Sequence, residues 1–245
     1  MSTERPWASG PGEILKHGLK LLQDDSDTNR RLAMISINNA VELMVKTFLG
    51  LPKRITGLSI TRSEYQDISE SFPKLLDALE KHAAEKLTGI DLGDIEWYHR
   101  LRNQLYHQGN GLTVERNKVE VYARLANSLF ENLFGFGLIE SKTTKVDALG
   151  EFISCWVAFE KAVLQKVFPA STQKQLINFS GAFHALEMRK VVSQAEFIRL
   201  QEIRSARNLV VHGQKSFEDA VKPEMVELLK SVTTRVQSFD FSKQK

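Results

Sequence analysis

From Ile14 to Val236, apolar side chains recur every three or four positions, and no stretch shows the alternating Val, Ile and Thr pattern of a strand. That spacing belongs to helices that each bury one face, so the expected fold is all-α. Ile14, Leu19, Leu21 and Leu22 form a short amphipathic start. Asp27 is expected to cap a long helix carrying Ala33, Ile37, Val41, Leu43, Met44 and Phe48, which ends at Gly50 before Pro52. Thr61 with Glu64 reads as a capping box, and Ser71 opens a helix with Leu75, Leu76, Leu79 and His82 on one side. Leu92 to His107 reads as a helix burying Ile95, Tyr98, Leu101 and Leu105, and Thr113 is expected to start another with Val121, Leu125, Leu129 and Phe130. Further on, Asp147 to Phe168 is a long apolar helix interrupted by Pro169 and Ser171. A stretch around Phe183, Leu186 and Val191 follows, and Ser193 with Glu196 forms a second capping box ahead of a helix from Ala195 to His212 that stops at Gly213. The last helix has Pro223 in its first turn and carries Val226, Leu229, Val232 and Val236.

The second half repeats the first. Ala40-Val41-Glu42-Leu43 corresponds to Ala158-Phe159-Glu160-Lys161, and Asp77-Ala78-Leu79-Glu80 to His184-Ala185-Leu186-Glu187. Most clearly, RNQLYHQG from Arg102 matches RNLVVHG from Arg207, 105 positions later. The blocks keep their order, which predicts two copies of one helical domain, 1–141 and 142–245, joined near Ile139 to Lys145.

Composition narrows the class. A 245-residue chain with 42% hydrophobic and 26% charged residues is that of a folded protein rather than a disordered one. The longest uncharged apolar run, Phe152 to Phe159, falls well short of a membrane span, and the first residues hold no apolar leader, so an intracellular, cytoplasmic, soluble protein is expected. One cysteine, Cys155, excludes an internal disulfide and any multi-Cys zinc site. The formal net charge of +3 is split unevenly, −1 over residues 1–143 and +4 over 144–245. That is compatible with phosphate binding without requiring it.

The shared block is Arg-Asn-x-x-x-His: Arg102, Asn103 and His107, then Arg207, Asn208 and His212. With 14 Arg, 10 Asn and 6 His in the chain, chance predicts about 0.014 occurrences. Asn and His, four apart, share a helix face, whereas Arg and His stand roughly 140° apart around the axis. Leu101, Leu105, Ala206 and Val210 are expected to point to the core and leave the polar triplet facing outward. Histidine exchanges protons near neutral pH, and arginine forks onto phosphate oxygens. The pair suits phosphodiester transfer in RNA, with the 2′-hydroxyl as nucleophile, Arg stabilising charge on phosphorus, and Asn103 and Asn208 orienting imidazole or phosphate. A helix-end histidine followed by glycine is also a good structural terminus, which is the competing reading.

Two all-α domains, each with RNQLYH or RNLVVH near the end of a long helix, resemble tandem HEPN (higher eukaryotes and prokaryotes nucleotide-binding) domains packed as a pseudo-dimer of helical bundles. The resemblance implies a metal-independent endoribonuclease with no cofactor, whose site forms where two such domains meet. It makes Arg102, His107, Arg207 and His212 catalytic, Asn103 and Asn208 supporting, and Glu42 and Glu160 candidates for orienting the arginines. Family members act as toxins, antiviral abortive-infection proteins, RNA-processing factors and nuclease modules of CRISPR effectors. The partners implied are an RNA substrate, a regulatory protein or antitoxin, and a second copy of the chain as a homodimer; no membrane is implied. Members paired with nucleotidyltransferase antitoxins carry Tyr two residues after the histidine. Here Gly109 and Gln214 stand there, which disfavours that regulation. The alternative function is a non-catalytic HEPN module that binds a nucleotide or regulates a partner protein.

Other candidates carry less. His17, His82, His99 and His184 lack paired metal-ligand spacing and read as surface or half-buried. Trp7, Trp97 and Trp156 form no regular series with basic residues, so they give no stacking platform for bases, and Trp156 reads as core. Tyr106 becomes Val211 in the second copy, which points to packing. Arg100 and Arg204 could extend phosphate contacts or be solvated cations. The QGNG loop from Gln108 follows a helix and lacks Lys-Ser/Thr, so it is no phosphate-binding P-loop.

Overall fold

The computed structural model describes residues 5–24, 26–107, 113–138, 148–167 and 179–241. Among these residues the secondary structure is helical throughout, with no strand. The expected loop glycine Gly109, the breakers Pro169 and Ser171, and the junction 139–145 lie outside the described residues. The chain divides into two units, Met1–Thr144 and Lys145–Lys245.

The first unit contains α1 (Pro6–Leu21), α2 (Asp27–Gly50), α3 (Lys53–Thr56), α4 (Arg62–Ile68), α5 (Phe72–Ala83), a 3-10 turn (Ala84–Leu87), α6 (Leu92–His107) and α7 (Arg116–Phe134). Helix α2 is the hub, packing on α1, α7, α5 and α6. Its Ala33, Met34, Ile37, Ala40, Val41 and Met44 are fully buried, which follows from their i, i+3, i+4 spacing. Helix α1 begins earlier than Ile14, at Pro6, and approaches α2 closely through small residues. A methyl group on Gly18 would lie 2.9 Å from Ile37 Cγ1, too near for any side chain. Arg5 donates to the carbonyl of Phe134, so a cation closes the C-terminal end of α7. By length and composition α2 could cross a membrane, although more than half of its apolar window is buried within the fold.

The second unit contains α8 (Ala148–Val167), α9 (Phe179–Met188), α10 (Gln194–Val211), α11 (Phe217–Ala220) and α12 (Pro223–Ser238). Part of its packing follows that of the first unit, without a counterpart of α1. Long α8 packs on last α12 and on α9, as α2 packs on α7 and α5; α10 packs on α12, as α6 packs on α7. The apolar residues expected on these helices, Phe152, Trp156, Phe159, Val163, Leu229, Val232 and Val236, are buried.

The N-terminal ends of α2, α4 and α7 also differ from expectation. Ser26, not Asp27, caps α2: its side chain accepts from the Asn29 N–H at 3.1 Å, while Asp27 occupies the first turn. Thr61 accepts from the Glu64 N–H, but the Glu64 carboxylate turns away to Lys81 and His82, each at 3.0 Å, so the reciprocal half of a capping box is not made. Helix α7 starts at Arg116 rather than Thr113. The Ser193–Glu196 box forms in full, and Arg235 reaches the same carboxylate at 2.5 Å. This pairing, led by the Arg235 bond, holds the Glu196 pKa down to about 2.

Candidate functional site

In each unit the Arg-Asn-x-x-x-His block closes the helix that packs on the unit's last helix. Helix α6 buries Asp94, Ile95, Tyr98 and Leu105, and Arg102 stands four residues after Tyr98 and three before Leu105, at the centre of that arc. The same holds for Arg207, between Ile203 and Val210 on α10. Both arginines stand on the buried arc, but only Arg207 is enclosed, contrary to the expectation that the triplet faces outward; the Arg102 guanidinium reaches exposed Asn39 and Tyr106. Arg207 is only 4% exposed, and Arg102 is half-buried. Helical spacing outweighs side-chain polarity here because the arginine's aliphatic stem can line an apolar face.

One bond recurs in both copies, from each guanidinium to the asparagine that follows it. Arg102 Nη1 donates to Asn103 Oδ1 at 2.9 Å, and Arg207 Nη1 donates to Asn208 Oδ1 at 3.2 Å. Arg102 has a second acceptor, since its Nη2 donates to Asn39 Oδ1 at 2.9 Å. Both acceptors of Arg102 are neutral amides, so hydrogen bonds orient the cation without cancelling its charge.

The histidines sit on the other side of the helix end. His107 is the last residue of α6 and is exposed; His212 caps α10 and is half-buried. At α10 the chain turns on Gly213, whose φ of +62° lies in the left-handed region that favours glycine. The Gln214 N–H bonds to Leu209 O at 2.8 Å and the Gly213 N–H to Val210 O at 3.0 Å, which is the Schellman closure. His212 is therefore held at a defined stop rather than a frayed end.

Glu42 is half-buried and forms an ion pair with Lys46 at 2.7 Å. It is Asn39, one turn earlier on α2, that reaches Arg102 directly. Glu160 is half-buried on α8. Asn103 is half-buried and Asn208 exposed, as suits residues flanking a surface.

Behind Arg102 lies a polar group that sequence reasoning missed. Fully buried Asn38 accepts from the Tyr122 hydroxyl at 3.1 Å, and its Oδ1 also lies 3.2 Å from His99 Nδ1. The His99 ring stacks on Phe72 at 4.2 Å, and Tyr122 stacks on Tyr98 at 4.5 Å. Burial lowers the His99 pKa and favours the neutral ring, against the opposing pull of the Glu42 carboxylate. Burial also pushes the Tyr122 hydroxyl far above its ordinary value, so it remains a donor. The Asn38-Asn39 pair inside an apolar helix was the available signal.

Tyr106 also departs from expectation. The residue is 61% exposed, with the Arg102 guanidinium carbon 5.2 Å from its ring centroid and the His107 ring edge-on at 5.4 Å. Val211, its counterpart, is fully buried. Among the described residues no group of three or more His, Cys, Asp or Glu is placed to hold a metal ion. Burial raises the Cys155 thiol, which makes it a poor nucleophile.

The chain matches no family model, and no curated protein or solved structure shows significant similarity to it.

Proposed function

We propose that the chain is a metal-independent endoribonuclease of the HEPN type, built from two tandem helical domains that pack as a pseudo-dimer. The observation that carries this reading is the recurrence of one geometry, an arginine bonded to the following asparagine one turn ahead of a helix-end histidine. The neutral amides around Arg102 leave its charge for a phosphate. In the reaction, a histidine accepts the proton of the ribose 2′-hydroxyl as its oxygen attacks phosphorus. The 5′-oxygen leaves with a proton from a second acid, producing a 2′,3′-cyclic phosphate and a 5′-hydroxyl. Arg102 stabilises the extra negative charge on the phosphoryl oxygens, and Asn103 and Asn39 hold it in place. A role in antiviral defence or as a toxin follows from the resemblance alone.

The burial of Arg207 favours a second reading for part of the molecule, in which the second copy supports the first and contributes His212 rather than a phosphate-binding arginine. If neither copy cleaves, the chain is an interaction or nucleotide-binding module.

The experiment incubates labelled single-stranded RNA with purified protein in EDTA, beside His107→Ala and His212→Ala. Cleavage that persists in EDTA, leaves cyclic phosphate ends and disappears in the variants supports the proposal. Cleavage unchanged in both variants overturns it.

A further inference from the structure

We propose that Tyr106 is a stacking platform for an unpaired nucleobase beside the phosphate on Arg102, which makes single-stranded RNA the substrate class. The inference rests on the endoribonuclease reading. In the same unit, Tyr98 and Tyr122 are fully buried and stacked on each other, so the fold has used those rings for its core. Tyr106, on the same helix as Tyr98, is left 61% exposed and contributes little to that core.

Its position gives the exposure meaning. Tyr106 follows Arg102 by one helical turn and immediately precedes His107, so its ring lies between the phosphate-binding candidate and the proton-transfer candidate. The guanidinium at 5.2 Å falls within cation–π range, and the imidazole meets the ring edge-on, so the ring has defined neighbours at one side while most of the residue's surface faces solvent. A phosphate on Arg102 brings an adjacent base to that surface. Only an unpaired base can use it, because both faces of a base in a duplex are covered by its neighbours. The second copy has no such platform, since Val211 is aliphatic and buried. The two blocks thus differ in one function: the first reads a base and the second does not.

The test measures binding of a fluorescein-labelled 2′-O-methyl RNA, which lacks the attacking hydroxyl and stays intact. The full chain is compared with Tyr106→Phe, Tyr106→Ala and Tyr106→Val by fluorescence anisotropy, using the single strand, a duplex and an abasic single strand of equal length. Tyr106→Ala and Tyr106→Val are expected to weaken single-strand binding on the order of tenfold, with Tyr106→Phe close to the parent. The abasic strand is expected to bind all four proteins alike, and more weakly. Equal binding of the single strand by parent and Tyr106→Ala overturns the platform while leaving the ribonuclease reading in place. An equal loss on the abasic strand also overturns it, since the ring would then act through Arg102 rather than on a base. A parent protein that binds no RNA overturns both.

Discussion

Arg102 and Asn103 are neighbours in sequence and hydrogen-bond partners in space, with Nη1 2.9 Å from Oδ1. A side chain that bonds to the next residue's amide must fold back over its own helix, and the Asn39 amide fixes the other end of the fork. The guanidinium is thus oriented before any ligand arrives, which lowers the ordering cost of binding an anion.

Neutral acceptors matter to that arrangement, and Asn39→Asp tests the point. A carboxylate at 39 would pair with Arg102 and compete with phosphate. The variant is expected to keep its fold, to bind single-stranded RNA several-fold more weakly, and to show a salt dependence shallower by about one charge. Titration of binding against salt concentration checks both effects.

The two arginines should separate in their effects on stability. Arg207→Ala removes a nearly fully buried side chain from between Ile203 and Val210 and is expected to cost about 2–3 kcal/mol. Arg102→Ala removes a half-buried one and is expected to cost less than half of that while abolishing RNA cleavage. Urea unfolding followed by circular dichroism, read beside the cleavage assay, makes the comparison.

Asn38→Leu is expected to destabilise the first unit by about 2–3 kcal/mol, because it strips the Tyr122 hydroxyl and His99 Nδ1 of their shared buried partner. The double variant Asn38→Leu with Tyr122→Phe should recover part of the loss, since no hydroxyl is then left without a partner. Equilibrium unfolding of the single and double variants measures the recovery.

Acid should act on the two units in different windows. The His99 pKa is lowered in the folded chain, so the unfolded chain binds a proton first. Stability is therefore unaffected well above the ordinary histidine value of 6.5 and falls as pH drops below it. His99→Asn should flatten that slope. Glu196, held at about 2 against an ordinary 4.5, contributes stability that is present above 4.5 and lost as pH falls toward 2. Thermal unfolding across pH 7 to 3, with Glu196→Gln for comparison, separates the two.

Much of this architecture is legible in local chemistry. Leu92 and His107 bound a helix in the sequence and in the structure, Pro223 opens the last helix, and Ser193 with Glu196 closes its box because both partners lie within one turn. What was not legible depends on distant groups or on a choice between adjacent equals. Ser26 and Asp27 are both cap formers, and only backbone geometry selects the first. Glu64 is drawn from its box by Lys81 and His82, which lie 17 and 18 residues away. Arg207 was misplaced because its polarity took precedence over its spacing, although Ile203 and Val210 mark its position as interior. Asn39, which reaches Arg102 directly, lies 63 residues from it in sequence, and no spacing rule links them.

Asn38 has a consequence for how α2 chooses its seat. A long apolar helix packed on four neighbours has several registers of similar hydrophobic merit, each one turn, about 5.4 Å, from the next. A single carboxamide tied to Tyr122 on α7 and His99 on α6 discriminates among them, since any slip would leave the amide facing hydrocarbon. It acts as an index pin. Because Asn39 is the next residue, the same pin that sets the core in register also delivers the amide that holds Arg102, so the site inherits its alignment from the interior.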